Sequence, residues 1–372
     1  MTYREAYELG VRRLSESGIA EAKTDARLLL EHVCHTDYQT LYTQGERVLD
    51  ELQMEFYVNY LQKRAEHIPL QYLTHKQSFM GLDFYVNKST LIPRADTEIL
   101  VEEVMRYMQD GMAILDLCTG SGCILLSLLH YSNGCFGVGT DVSKDALAVA
   151  RENADALGFE EKRKRGELLF LQGNLYDALR GGADGAGEGA RRNEQNGAEE
   201  GARMDRQNGA EEYGLPRRIA TGMPQGEIPA FDVIVSNPPY IRSDVIPTLM
   251  PEVKEHEPRL ALDGGGDGLA FYRRIIDGAP AFVKRESALF FEIGADQGNA
   301  VRELMRQAGY RDVRIVKDYA GLDRVVHGVR MTTVWEGAAS ACQDEGCLRG
   351  GTAEEERSAV RRKKGMRTCL TD

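Results

Sequence analysis

Ile114-Leu115-Asp116-Leu117-Cys118-Thr119-Gly120-Ser121-Gly122-Cys123 carries a short apolar strand into a turn of small residues and then into a helix that the pattern extends to His130. Glycines let such a turn adopt dihedrals closed to other residues, so that its backbone can lie close to a ligand. The helix start adds N–H groups with no partner inside the helix. Alone, this is equally a plain chain reversal. The residues that follow decide the fold. Cys135 to Thr140 reads as a second strand, Ser143 as the cap of a helix from Lys144 to Leu157, and Gly158 as its stop. Leu168 to Gln172, Phe231 to Ser236, Ala288 to Ile293, Val313 to Lys317 and Val325 to Val329 supply further strands. Strands alternating with helices predict an α/β fold with a mostly parallel, doubly wound sheet.

Outward from this core, residues 1–75 read as a small helical bundle. Ala26, Leu29, Leu30 and Val33 form one apolar stripe, and Phe56, Tyr60, Leu61 and Ala65 form a second. A β-rich connector and helix fill 76–111: Phe84-Tyr85-Val86 and Leu91-Ile92 flank a polar turn, and a helix runs from Asp96 through Met108. The sheet domain spans 112–336. Within it, 181–228 holds 11 Gly and 7 Ala and repeats Gln-Asn-Gly-Ala-Glu-Glu at 195–200 and 207–212. That composition buries too little apolar surface to offset its ordering entropy, which predicts a disordered insertion. The polar stretch 337–372 reads as a disordered tail.

The 372 residues carry a formal charge of −12, and residues 1–75 hold 8 Lys/Arg against 12 Asp/Glu. This acidity argues against a sequence-independent grip on nucleic acid. No run of some 18 apolar residues suggests a membrane span, and the polar start lacks a signal core, so a cytoplasmic location is expected. Seven cysteines without a CxxC pair, and seven His without ligand spacing, predict reduced thiols and no metal.

Asp141 ends the second strand, 19 residues after Gly122. An acid there can accept hydrogen bonds from ribose hydroxyls at the carboxyl edge of the sheet. A dinucleotide site wants GxGxxG. The shorter Cys118-x-Gly120-x-Gly122, with Asp116 two residues before it, suits S-adenosylmethionine, which has no pyrophosphate. A second motif, Val235-Ser236-Asn237-Pro238-Pro239-Tyr240-Ile241, stands at the end of the fourth strand. Consecutive prolines fix φ and donate no N–H, so they hold the Asn237 side chain and the Pro238 carbonyl in set directions. Two acceptors suit an –NH2 group with two donors, and Tyr240 offers a flat face to a planar amide or base. The predicted chemistry is direct methyl transfer to a planar nitrogen.

With both motifs in view, the chain resembles the protein-(glutamine-N5) methyltransferases that act on peptide-chain release factors, the HemK/PrmC type. The likeness extends through Ala26 to His32, Pro69 to Leu73, Leu91 to Glu98, Glu257 to Gly265, Phe291 to Gly294 and Asp318 to Val326. The resemblance implies a class I S-adenosylmethionine-dependent methyltransferase fold and a helical domain that helps recognise the release factor, and a monomer is expected. It implies cofactor contacts at Cys118, Thr119, Gly120, Ser121, Gly122, Asp141, Asn174, Leu175 and Asn237. It assigns Asn237, Pro238, Pro239 and Tyr240 to the glutamine of a Gly-Gly-Gln loop, with Asn237, Pro238 and Tyr240 carrying catalysis.

Three residues depart from the family pattern. Cys118 replaces a glycine, and its φ is expected to be negative or mildly strained. Asn174 replaces an Asp, and Leu175 an aromatic residue. Arg94 and Glu98 either touch the substrate loop or cofactor or, at least as readily, form a connector salt bridge; His256 and Glu257 are expected on a solvated loop, and Glu292 in a structural hydrogen bond. Gly264-Gly265-Gly266 is expected as a loop near the substrate entrance. The competing readings are a ribosomal-protein glutamine methyltransferase, a nucleic-acid adenine-N6 methyltransferase and a non-catalytic adaptor.

Overall fold

The computed structural model describes residues 1–180 and 230–331. The expected insertion (181–228) and tail (337–372) lie outside the described residues. The chain begins with helices α1 (Tyr3–Glu16), α2 (Ala22–Cys34), α3 (Tyr38–Thr43), α4 (Glu51–Ala65) and α5 (Leu70–Thr74). Thr2 and Asp50 form capping boxes with Glu5 and Gln53, which satisfy otherwise free N–H groups at the starts of α1 and α4. Ala26, Leu29, Leu30 and Val33 are all buried, as their spacing predicts. The α4 stripe is shifted by one position. Tyr57, Leu61 and Arg64 face inward, while Phe56 is 57% exposed. The Tyr57 hydroxyl donates to the Ala26 carbonyl at 3.1 Å, which fixes α4 against α2.

Next come β1 (Lys76–Phe79) and β2 (Leu82–Tyr85), an antiparallel hairpin. It lies earlier than the sequence suggests, and Leu91-Ile92 form no strand. Leu91 is apolar because it walls a cavity, and Ile92 because it packs with Tyr72 and Val86. Then follow α6 (Ala95–Tyr107), β3 (Ala113–Leu117), α7 (Cys123–His130), β4 (Phe136–Asp141), α8 (Lys144–Ala156), α9 (Glu160–Lys164), β5 (Leu168–Gln172) and α10 (Asp177–Arg180). The described chain resumes with β6 (Phe231–Ser236), α11 (Pro251–His256), α12 (Ala270–Gly278), β7 (Val283–Glu292), α13 (Gly298–Gln307), β8 (Arg311–Lys317) and β9 (Asp323–Met331).

The sheet order is β5-β4-β3-β6-β7-β9-β8. The first five strands are mutually parallel, and β9 runs antiparallel to both neighbours. The two-residue period of a strand divides its side chains between two cores. Ile114, Val233, Val235, Ala288 and Phe290 pack with α6, α7 and α8. Leu115, Leu117, Ile234, Leu289 and Phe291 pack with α12 and α13. Strand order reverses between β3 and β6. Register there pairs Leu117 with Ser236, so the next residues, Cys118 and Asn237, begin neighbouring loops at the carboxyl edge. Open α/β sheets bind ligands at such a switch point.

Candidate active site

The turn after β3 is held from three sides. Thr119 N–H donates to the Thr140 carbonyl at 3.0 Å, Gly122 N–H to the Thr119 carbonyl at 2.8 Å, and Gly120 N–H to Asp141 Oδ2 at 3.0 Å. Asp141 Oδ1 takes the Ser143 N–H at 2.9 Å, and Ser143 Oγ caps α8 through Ala146 N–H at 3.1 Å. Asn153 reaches across from α8, bonding the Ser121 carbonyl and both backbone groups of Tyr85. The connector is thereby tied to the turn.

Gly122 has φ +80°, and a Cβ there would lie 3.1 Å from Leu126 Cδ1 and 3.2 Å from Ala150 Cβ. Conformation and space both favour glycine at this position. Cys118 has φ +62°, so the mildly strained alternative holds. The left-handed region costs a side chain about 1–2 kcal/mol, and glycine returns part of that in chain entropy. Cys118→Gly is therefore expected to raise stability by about 0.5–1 kcal/mol, read as a rise in Tm of about 2 °C. Leu175, buried beside the same cavity, also has positive φ, at +55°.

These loops line one cavity that is open to solvent on one side. Cys118, Thr119, Gly120, Ser121, Asp141, Asn174, Leu175, Asn237 and Pro239 all line it. Gly122, Pro238 and Tyr240 adjoin these lining residues in the chain but are not themselves among the lining side chains. The sequence reading missed Thr97, Leu260 and Phe271, which also face the cavity. Nothing in their local pattern marks them, since a helix start, a short turn and an amphipathic helix each account for one.

Burial sets the electrostatics. Asp116 is fully buried; desolvation pushes its carboxyl up to about 7, against a 2.6 Å hydrogen bond from Thr119 Oγ1. Asp141 is raised by burial, against the N–H groups of Ser143 and Gly120. Burial, then the charges of Asp141 and Asp116, raises the Cys118 thiol and keeps it protonated. Cys118 is thus a wall residue rather than a nucleophile.

On the facing loop, Asn237 Nδ2 donates to Thr97 Oγ1 at 3.4 Å. Among the described residues, no donor is bound to Asn237 Oδ1 or to the Pro238 carbonyl. Tyr240 donates its hydroxyl to Glu292 Oε1 at 3.3 Å. Glu292 is 1% exposed, and desolvation pushes it up to about 7. The glycine run is sewn to this loop rather than free. Gly264 N–H donates to the Ile241 carbonyl at 2.8 Å, and Ser243 N–H to the Gly265 carbonyl at 3.1 Å. A Cβ on Gly268, at φ +73°, would stand 2.5 Å from the Tyr240 carbonyl oxygen.

Glu257 overturns its expected place on a solvated surface. Its side chain is 1% exposed and paired with the Arg94 guanidinium. Pro93 and Pro258, the neighbours of that pair, both wall the cavity. His256 Nε2 is also engaged, 3.3 Å from the Glu66 carbonyl. Glu98 accepts the Met80 N–H at 2.6 Å, a connector contact made through the backbone rather than as a salt bridge. From the helical bundle, Arg64 bonds Asp25 at 2.7 Å and Glu252 of α11 at 3.1 Å, and His67 Nδ1 lies 3.2 Å from the same Glu252 oxygen.

The strand order with its reversed β9, and a cavity over the carboxyl ends of β3, β4 and β6, define a class I S-adenosylmethionine-dependent methyltransferase fold. Residues 5–74 match the family model of the PrmC N-terminal domain. The release factor glutamine methyltransferase of Clostridium acetobutylicum is 35% identical over 308 residues, covering 82% of this chain and 90% of that protein. That of Caulobacter vibrioides is 36% identical over 332 residues, 89% and 97% of the two chains. A crystal structure of the release factor-specific protein-(glutamine-N5) methyltransferase from Alicyclobacillus acidocaldarius is 28% identical, covers 67% of this chain and 100% of its own, and superposes with a TM-score of 0.32. The chain belongs to the release factor glutamine methyltransferase family.

Proposed function

We propose that this enzyme transfers a methyl group from S-adenosylmethionine to the side-chain amide nitrogen of the glutamine in a release factor's Gly-Gly-Gln loop, acting as a cytoplasmic monomer. The observation that carries this reading is the Leu117–Ser236 pairing, which opens the cofactor turn and the Asn-Pro-Pro-Tyr turn onto one cavity. The cavity suits the cofactor in its donor set. A Cβ on Gly120 would meet nothing within 4 Å, so that turn faces open space. Asp141, with one N–H on each oxygen, keeps lone pairs for ribose hydroxyls. Cys118 to Ser121, Asn174 and Leu175 would hold the nucleoside, with Gly122 keeping the turn in shape.

When bound, S-adenosylmethionine supplies an electrophilic methyl on a sulfonium. An amide nitrogen is a poor nucleophile because its lone pair is delocalised. Asn237 Oδ1 and the Pro238 carbonyl would accept its two hydrogens, orienting the nitrogen and favouring charge as it develops. Pro239 and Tyr240 would bound the planar group. Residues 1–75 would serve as the recognition domain, and 112–336 as the catalytic domain beyond the connector at 76–111.

The test is incubation with labelled S-adenosylmethionine and, separately, a release factor, ribosomal protein and DNA, with the methyl located by mass spectrometry. Label is expected on the release-factor glutamine. Label on adenine or on a ribosomal-protein glutamine would overturn the assignment, and no label on any of them would favour the adaptor reading.

A further inference from the structure

A turn built on two prolines cannot close itself. Pro238 and Pro239 have no N–H to donate, and their rings fix φ but leave ψ free. Among the described residues, no hydrogen bond reaches the backbone of either. The directions of the Asn237 side chain and the Pro238 carbonyl are therefore set from outside the turn. On one side, β6 holds the chain as far as Ser236. Beyond the prolines, the first backbone group to be bonded is the Tyr240 carbonyl, which accepts from Gln297 Nε2 at 3.0 Å. Ile241 N–H follows, donating to the Leu262 carbonyl at 3.0 Å.

Gln297 is 8% exposed and stands at the N-cap of α13. That position favours a short polar side chain that caps its own helix, yet Gln297 makes no such bond. Its amide is engaged elsewhere at both ends. Nε2 donates to the Tyr240 carbonyl and, at 3.3 Å, to the Gly268 carbonyl. Oε1 accepts the Gly294 N–H at 3.0 Å and lies 3.2 Å from the Tyr272 hydroxyl, whose proton it shares with the Glu292 carbonyl. Carbonyls only accept and an N–H only donates, so the amide has one orientation. It joins the motif turn, the glycine loop and the segment after β7 at a single point. Space is as tight as the bonding. A Cβ on Gly268 would stand 2.6 Å from Gln297 Nε2, and one on Gly264 would stand 2.7 Å from Tyr240 Cα.

We propose that Gln297 is a positioning residue for methyl transfer. By pinning the Tyr240 carbonyl it fixes the far end of the diproline turn, and with it the line along which Asn237 Oδ1 and the Pro238 carbonyl meet the substrate amide. This rests on the reading that those two oxygens accept from that amide. Gln297 itself is not among the residues that line the cavity.

The test compares full-length variants well below their melting temperatures. It measures kcat and KM with a release factor, Kd for S-adenosylmethionine by calorimetry, and Tm. Gln297→Met keeps the length and removes every bond. It is expected to lower kcat about 10–100-fold, the scale of a misplaced reacting group. KM for the release factor should stay within about threefold of wild type, and cofactor Kd within about twofold. Gln297→Asn puts a favoured capping residue at the start of α13, on a stem one methylene too short for these bonds. It should melt closer to wild type than Gln297→Met and still lose kcat. Tyr272→Phe takes a buried hydroxyl from the same amide but leaves both carbonyls bonded. It should lower Tm while kcat stays within about threefold of wild type. Wild-type kcat in Gln297→Met, a cofactor affinity that weakens in step with kcat, or a Tyr272→Phe loss of kcat equal to that of Gln297→Met would overturn the proposal. If Gln297→Met fails to fold, Gln297→Asn carries the test, and wild-type kcat there refutes it. Wild-type activity in Asn237→Ala would refute the underlying reading. An inactive Asn237→Ala beside a fully active Gln297→Met would refute the positioning role alone.

Discussion

Asn237→Ala is expected to lose at least about a thousand-fold in kcat while cofactor affinity largely survives. Electrostatic preorganisation at a reacting centre is commonly worth a factor of about 10²–10³ per polar group. Here the substitution also removes the orientation of a nucleophile that cannot react unless aligned. Asn237 is one of many residues lining the cavity. The ribose and turn contacts proposed for Asp141 and residues 118–122 remain, so a calorimetric Kd should move by no more than a few-fold. Single-turnover assays with labelled cofactor give the chemical step directly. Retained activity in the alanine variant would remove the side chain from the mechanism.

The second large effect concerns the pair that staples the cavity. Arg94→Met should leave Glu257 as a buried carboxylate without its cation. Breaking a buried pair from one side costs about 3–5 kcal/mol. The Arg94 side chain is 43% exposed, so water already screens part of the attraction, and about 2–3 kcal/mol is expected. That corresponds to roughly 5–8 °C in Tm. Burial already raises the Glu257 carboxyl, and Arg94 opposes that rise. Without Arg94 the folded-state pKa climbs further above its unfolded value. A carboxyl with a raised folded pKa supports the fold while protonated and costs stability as pH rises through that pKa. The deficit of Arg94→Met relative to wild type should therefore be small at pH 4–5 and widen toward pH 8, as thermal melts across that range would show. Cofactor affinity should weaken as well, about tenfold, because Pro93 and Pro258 lose the bond that holds them across the cavity. A flat pH dependence, or an unchanged Kd, would contradict this account.

The sequence announced those parts of the fold in which burial is continuous and bounded by breakers. β5 and β6 are short apolar runs, read to the residue, although only β6 (like β3) is buried on nearly every position and the edge strand β5 is buried at Leu168 and Phe170 alone. β7 was read only in its second half. Its first residues include Lys284, Arg285 and Glu286, all exposed, yet Glu286 is held in the sheet by pairing with Met331. That pairing comes from a distant segment and leaves no local trace. Arg64 hides the face of α4 in the same way. Its burial makes sense only beside Asp25 and Glu252, 39 and 188 residues away. Glu257 looked solvated for the same reason, since Arg94 stands 163 residues off. At the site, the two motif turns were legible because glycine and proline restrict the backbone locally. Thr97 and Phe271 were not, since what they share is a cavity formed by packing.

The Asp25–Arg64–Glu252 contact has a practical corollary for protein engineering. A catalytic fragment cut away after the helical bundle would retain Glu252, whose side chain is 16% exposed here, without the guanidinium and imidazole that now bond it. Only a few residues further along the same segment stand Pro258, Leu260 and Ala261, which wall the cavity. Modular dissection would thus damage more than substrate choice. It would also loosen the chamber from outside, so a feeble excised core would be poor evidence that the bundle touches the reacting atoms.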